Sequence, residues 1–127
     1  MRGDLLYPDL SYKLIGILFE VSSALGHRYQ ERYYQRAAAK FFREAGINFK
    51  EQVGINTMIK DSLITKGFID FLIEDKVILE LKKGERFLKQ NIEQVYGYLK
   101  ATGLELGIIA NFTPHGLQFK RIVNIRN

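Results

Sequence analysis

Gly67-Phe-Ile-Asp-Phe-Leu-Ile-Glu-Asp-Lys-Val-Ile-Leu-Glu-Leu-Lys82 is the most apolar stretch of the chain, yet it carries Asp70, Glu80 and Lys82. Aromatic and β-branched residues on either side of Glu74-Asp75-Lys76 read as two strands joined by a turn. Side chains alternate along a strand, so Glu80 and Lys82 share a face with Ile78. A loop of Glu74, Asp75 and Lys76 pairs Ile73 with Val77 and sets Asp70 opposite Glu80. A shorter loop would put Asp70 opposite Leu79 and send the two carboxylates to different faces. One face of the hairpin carries Ile69, Phe71, Ile73, Val77, Leu79 and Leu81; the other carries Phe68, Leu72 and Ile78 beside the charges. Both faces are apolar, which predicts a strand pair buried on both sides.

Outward from this hairpin the periodicity sets the other elements. Upstream, Asp9 or Ser11 can cap a first helix with Leu14, Leu18, Val21 and Leu25 on one stripe and Gly26 as its stop. A second helix runs from about Tyr29 to Ala45, with Tyr34, Ala37, Ala38, Phe41, Phe42 and Ala45 on its apolar stripe. From Ile47 the period shortens: Ile47, Phe49, Val53 and Ile55 suggest a strand with an irregularity near Glu51, and Lys60-Asp61 turns it into Leu63–Ile73. Downstream, Leu88, Ile92, Val95 and Leu99 mark a third helix from about Phe87 to Thr102. Strands near Leu104–Ala110 and Leu117–Val123 follow, joined through Pro114, His115 and Gly116. Strand, helix and strand around residues 77–110 form a βαβ unit, which favours parallel pairing. The expected fold is α/β, a central mixed sheet flanked by helices in one domain over residues 1–127, with 1–8 as a loose N-terminal segment.

Composition bounds the function. A chain of 127 residues removes roughly two thirds of its surface from water. It has no cysteine, which rules out disulfides, thiolate zinc sites and iron–sulfur clusters. The net charge of +5 favours polyanionic partners, although a basic surface also serves solubility alone. The apolar run Leu14–Phe19 is broken by Glu20 and is too short to span a bilayer, so a cytoplasmic protein without a membrane contact is expected.

Asp, Glu and Lys are rarely buried without a partner or a metal. Two readings of Asp70, Glu80 and Lys82 follow. Glu80 and Lys82 can pair with each other at a sheet margin, as the triplet Glu74-Asp75-Lys76 shows that Glu-x-Lys alone means little. Alternatively, the two carboxylates hold a hard cation such as Mg²⁺, which takes oxygen ligands and bridges to phosphate, and Lys82 balances charge growing on the same face. Gln94 and Tyr98, one helical turn apart, can offer an amide and a phenol to a phosphate or base, or can be an ordinary helix boundary. Glu31 falls on the apolar stripe of the second helix and so is expected to face the interior, although a carboxylate near a helix N-terminus is also favoured by the macrodipole. Glu20 flanks the first helix's stripe, able to reach inward or to stay in solvent.

At these residues the chain resembles a known family. Leu10–Val21, Gln30-Glu-Arg-Tyr-Tyr34, Ile73–Lys82, Gln94-x-x-x-Tyr-Leu-Lys-Ala-Thr-Gly-Leu104 and Asn111-Phe112 followed by Leu117–Val123 look like the GxxExxY proteins of the PD-(D/E)XK nuclease superfamily. The Asp, Glu-x-Lys, Gln-x-x-x-Tyr series is also similar to RecB-like and Cas4-like nuclease domains. The resemblance implies a restriction-endonuclease-like core and a Mg²⁺- or Mn²⁺-dependent nuclease with DNA as the expected substrate. It implies Asp70 and Glu80 as metal ligands, Lys82 as the catalytic lysine and Glu20 as a further carboxylate from the first helix. Gln94 and Tyr98 would face substrate, and Glu31 and Tyr34 match the family's name-giving pair, expected here in a supporting role. Arg28 stands in place of that motif's Gly, and Ser22 in place of a histidine two residues after Glu20. Two rivals accompany this reading: a non-cleaving module that binds nucleic acid or protein, and a junction-resolving endonuclease acting as a homodimer.

Overall fold

A computed structural model describes residues 6–125. Helix α1 spans Pro8–Leu25, and its start is set by Pro8 at the first helical position, where the missing N–H costs nothing. The expected cap at Asp9 or Ser11 therefore lies one to three residues inside the helix, with Asp9 in the first turn. The expected loose segment also needs correction where it is described: Leu6 is buried and its carbonyl accepts from Arg121 Nη2 at 2.7 Å. Residues 1–5 of that segment lie outside the described residues. Helix α2 spans Glu31–Glu44, beginning after Gln30 instead of at Tyr29, and buries Tyr34, Ala38, Ala39 and Phe42.

Five strands follow the expected order: β1 (Phe49–Ile59), β2 (Ser62–Ile73), β3 (Val77–Lys83), then helix α3 (Lys89–Thr102), β4 (Leu106–Thr113) and β5 (Gly116–Val123). They form one mixed sheet in the order β1-β2-β3-β4-β5, antiparallel throughout except for the parallel β3–β4 pair that α3 connects. Helices cover both faces. Under α1 and α2 lie Phe71, Ile73, Val77, Leu79, Leu81, Ile108 and Phe112. There Phe42, Phe49 and Phe71 meet edge to face at 5.4–5.8 Å, a geometry that suits aromatic quadrupoles. On the opposite face α3 buries Val95, Tyr98 and Leu99 against Ile78, Ile109 and Ile122. Gly107 lets α3 settle so closely, since a Cβ there would lie 2.6 Å from Val95 Cγ1. No described helix is long and apolar enough to cross a membrane.

The loop of Glu74, Asp75 and Lys76 is the longer one that the carboxylate pairing requires: Ile73 pairs with Val77, Leu72 with Ile78 and Phe71 with Leu79. There the β2–β3 ladder ends, while β1 and β2 run on together as a long hairpin to Ile59 and Ser62. Ile69 joins the α3-side cluster although Phe71 and Ile73, two and four residues on, pack under α1 and α2. The assignment of all three to one face is thus corrected, and the change falls at Asp70. Across from Asp70, Gln52 takes φ 51° and breaks the β1 side of the ladder, close to the irregularity expected near Glu51.

Candidate active site

Asp70 and Glu80 meet where β2 and β3 part. Past Phe71 and Leu79 the carboxylates take over the hydrogen bonding that the backbones no longer make. Asp70 N–H donates to Glu80 Oε2 at 3.3 Å, and Leu81 N–H donates to Asp70 Oδ2 at 2.9 Å. This satisfies backbone donors that would otherwise be stranded in the sheet interior. Glu80 is only 2% exposed, whereas Asp70 remains partly open to solvent. Burial, above all, pushes the Glu80 carboxyl up to about 9, reinforced by its hydrogen bond to Asp70 and the repulsion of that neighbouring charge; Lys82 opposes the rise. Glu80 is therefore neutral at pH 7 in the metal-free protein.

Lys82 shares the face of Glu80 and sits beside Asn111 across the parallel β3–β4 pair. Both line a cleft of about 650 Å³ at the C-terminal end of β3, together with Glu31, Lys83 and Arg86. Tyr98 reaches the pair from α3. Its phenol is raised mainly by burial and next by the Glu80 charge, and it bonds the backbone at Phe68. Gln94, one turn earlier, is exposed and lines a smaller cleft of about 250 Å³ with Lys66, Gly67 and Tyr98. Asp70, Glu80, Lys82 and Tyr98 thus converge, with Gln94 at the rim.

Gly67 makes this convergence possible, because a Cβ on it would run into the Tyr98 phenol, with Cε1 at 3.0 Å. Gly67→Ala is expected to destabilise the protein by about 1–3 kcal/mol, as overpacking does. Tyr98→Phe removes the oxygen that meets the new methyl, so the double variant should recover part of that loss in urea titrations. Simple additivity of the two changes would show that the hairpin and α3 do not press on one another here.

Of the remaining expected site residues, Glu31 alone borders the Lys82 cleft. Glu20 is exposed on α1, and among the described residues no group of three or more acidic or histidine side chains gathers around a metal-sized space. Glu31 is corrected: it is exposed and not interior, because α2 begins at this residue and its buried stripe starts only at Tyr34. Its Oε2 accepts from Lys83 N–H at 3.3 Å, which places it at the mouth of the Lys82 cleft. Tyr34 is fully buried, stacks on Phe112 at 4.2 Å and donates its O–H to Gly26 O at 2.6 Å, tying the α1–α2 connection to the core. The left-handed turn of that connection falls at Gly26 (φ 71°), so Arg28 needs no glycine-like freedom.

Three residues that the motifs do not mark as site residues also bear on the site. Gln52 Nε2 donates to Asp70 Oδ1 at 3.4 Å and to Gln35 Oε1 at 3.1 Å, and Gln35 Nε2 reaches Asp70 O at 3.4 Å. These two amides fix Asp70 from the α2 side. Asn111 is 1% exposed with an unpartnered Oδ1. Its signal was visible as the one amide inside the apolar run Leu106–Phe112; the approach of Gln52 depends on a backbone conformation that alternation does not encode.

A mixed sheet sandwiched by helices, with an acidic pair and a lysine at the parting of two central strands, defines a restriction-endonuclease-like core. The chain belongs to the PD-(D/E)XK nuclease superfamily, whose family model matches residues 8–122. Among solved structures it is similar to the crystal structure of SSO0001, at 18% identity and a TM-score of 0.62 over 76% of this chain and 52% of that one. It is also similar to an alkaline exonuclease from Laribacter hongkongensis, at 16% identity and a TM-score of 0.42 over 71% of this chain and 54% of that one. The chain spans about half the length of these two structures. No curated protein matches it.

Proposed function

We propose that this chain is a divalent-metal-dependent nuclease that cleaves phosphodiester bonds in DNA, of the GxxExxY type within its superfamily. The observation that carries this reading is the Asp70–Glu80 pair, one carboxyl buried and the other partly open, contributed by two strands at the point where they part and holding a proton where a cation could sit. The donor set fits Mg²⁺ or Mn²⁺: oxygen only, two carboxylates, and an open side through which water and phosphate complete the shell. Asp70 and Glu80 would hold the ion, which when bound would polarise the phosphodiester and lower the pKa of a water. The chain's own groups do the rest. Lys82 offsets negative charge growing at the phosphate, Tyr98 and Gln94 contact the strand from α3, and Gln52 with Gln35 keeps Asp70 aimed at the ion.

Incubation of end-labelled DNA and RNA with the protein and Mg²⁺ or Mn²⁺, against a chelator control, tests the proposal. Metal-dependent products from DNA are expected. One observation favours a second reading, that of a module which binds without cutting: only two carboxylates converge, since Glu20 stands apart. Tight DNA binding with no product under either metal would establish it.

A further inference from the structure

On the other side of Asp70 from Tyr98, α2 and β1 enclose a cleft of about 410 Å³ lined by Arg32, Arg36 and Arg43, with Gln35, Glu51 and Gln52. It opens from the candidate centre itself, because Gln35 and Gln52 on its wall are the two amides bonded to Asp70. Three guanidinium groups face a single carboxylate, Glu51. Glu51 accepts from Gln35 Nε2 at 3.4 Å, and among the described residues none of the three arginines forms an ion pair. Three guanidinium groups held without carboxylate partners in one recess await an anion of matching form.

The rim carries aromatic surface. Tyr29 is 47% exposed and meets Tyr33 edge to face at 5.9 Å, while Arg32 and Arg36 lie over the Tyr33 ring at 4.9 and 5.6 Å. Rings and guanidinium planes give little to a duplex, whose bases are stacked inside and which shows a recess of this size only its outer phosphates. They give much to an unpaired strand, whose phosphates can enter the cleft while its bases turn onto the exposed Tyr29.

We infer that the α2–β1 cleft binds an unpaired nucleic-acid strand, with Arg32, Arg36 and Arg43 on its phosphates and the exposed Tyr29 on its bases, while the Tyr33 ring holds Arg32 and Arg36 in place. The inference rests on the nuclease reading and gives that site its substrate class: a single strand, or the unpaired part of a branched one, reaching Asp70 along α2.

Fluorescence anisotropy of a labelled single-stranded DNA and of its duplex, measured in chelator over a range of KCl with the full chain, tests this. The single strand should bind more tightly. Arg32→Gln/Arg36→Gln/Arg43→Gln should flatten the log–log salt slope for the single strand by about 2, three contacts at roughly 0.7 each. Tyr29→Ala should weaken binding about tenfold with the slope unchanged, since stacking releases no counterion. If the triple variant does not fold by circular dichroism, Arg36→Gln alone should flatten the slope by about 0.7. An unchanged slope, or tighter binding of duplex, overturns the inference. So does a wild-type protein that cuts DNA with metal but binds no single strand in chelator; the nuclease reading then still stands. A protein that neither binds nor cuts removes the nuclease reading first, and this inference with it.

Discussion

Glu80→Gln is expected to give a folded protein that no longer cuts DNA. The amide has the shape of the protonated carboxyl that the metal-free site already holds: its carbonyl can accept from Asp70 N–H, and its NH₂ can donate to the Asp70 carboxylate. What it cannot supply is the second negative charge, so metal affinity should fall by more than about a hundredfold, beyond the effect of losing a group that merely supports a ligand. Stability should move the other way with pH. In the wild type the folded Glu80 carboxyl titrates near 9 against an ordinary 4.5, so the native state retains a proton that the unfolded chain releases. Stability from this group is complete below about 4.5 and drains away as pH rises towards 9, at no more than about 1.4 kcal/mol per pH unit. Glu80→Gln has no such proton and should show a flatter profile in chelator, becoming the more stable of the two at alkaline pH. Urea titrations between pH 5 and 9, paired with calorimetric Mg²⁺ binding, read both effects. A variant that unfolds at every pH would mark Glu80 as a residue the fold itself requires, and the metal site would fall with it.

The register of this site was legible because a hairpin converts sequence distance into spatial pairing. Once the turn is fixed as Glu74, Asp75 and Lys76, Asp70 must oppose Glu80, and the structure pairs Ile73 with Val77 accordingly. The helix stripe holding Tyr34, Ala38 and Phe42 was legible for a similar reason, as a period of 3.6 leaves little choice of buried face. Glu31 was misplaced since periodicity does not tell where a helix begins. At the first helical residue a side chain lies beyond the packed stripe, so the same angular position leads outward. Ile69 was misplaced because alternation assumes an undisturbed ladder, whereas β2 leaves β3 at Asp70 and Gln52 breaks the pairing on the other side. Both errors sit beside the site, where regular hydrogen bonding gives way to side chains that have another task. Gln35 and Gln52 reach Asp70 only after β1 has folded back under α2, a long-range approach no local pattern records.

Lys82 should separate chemistry from binding. It lies on the Glu80 face of β3, partly open to the cleft, and its charge works against the rise of the Glu80 carboxyl. A cation placed there gains most when a phosphodiester acquires extra negative charge, and little from the resting phosphate, which solvent and Arg86 can also serve. Lys82→Met is therefore expected to lower kcat by about 10²–10³-fold, the effect of removing one preorganised donor, with KM for DNA changed only slightly. Lys82→Arg keeps the charge but puts a planar fork in place of a compact ammonium, so it should restore DNA affinity without restoring the rate. Losing the cation also lets the Glu80 carboxyl climb higher, so the metal requirement of Lys82→Met should become steeper at low pH, where the proton competes best. Steady-state kinetics at saturating and limiting Mg²⁺, at pH 6.5 and 8.5, separate these contributions. If Lys82→Met raises KM and leaves kcat alone, the lysine is one more phosphate contact in a basic cleft, and the charge-balancing role assigned to it is wrong.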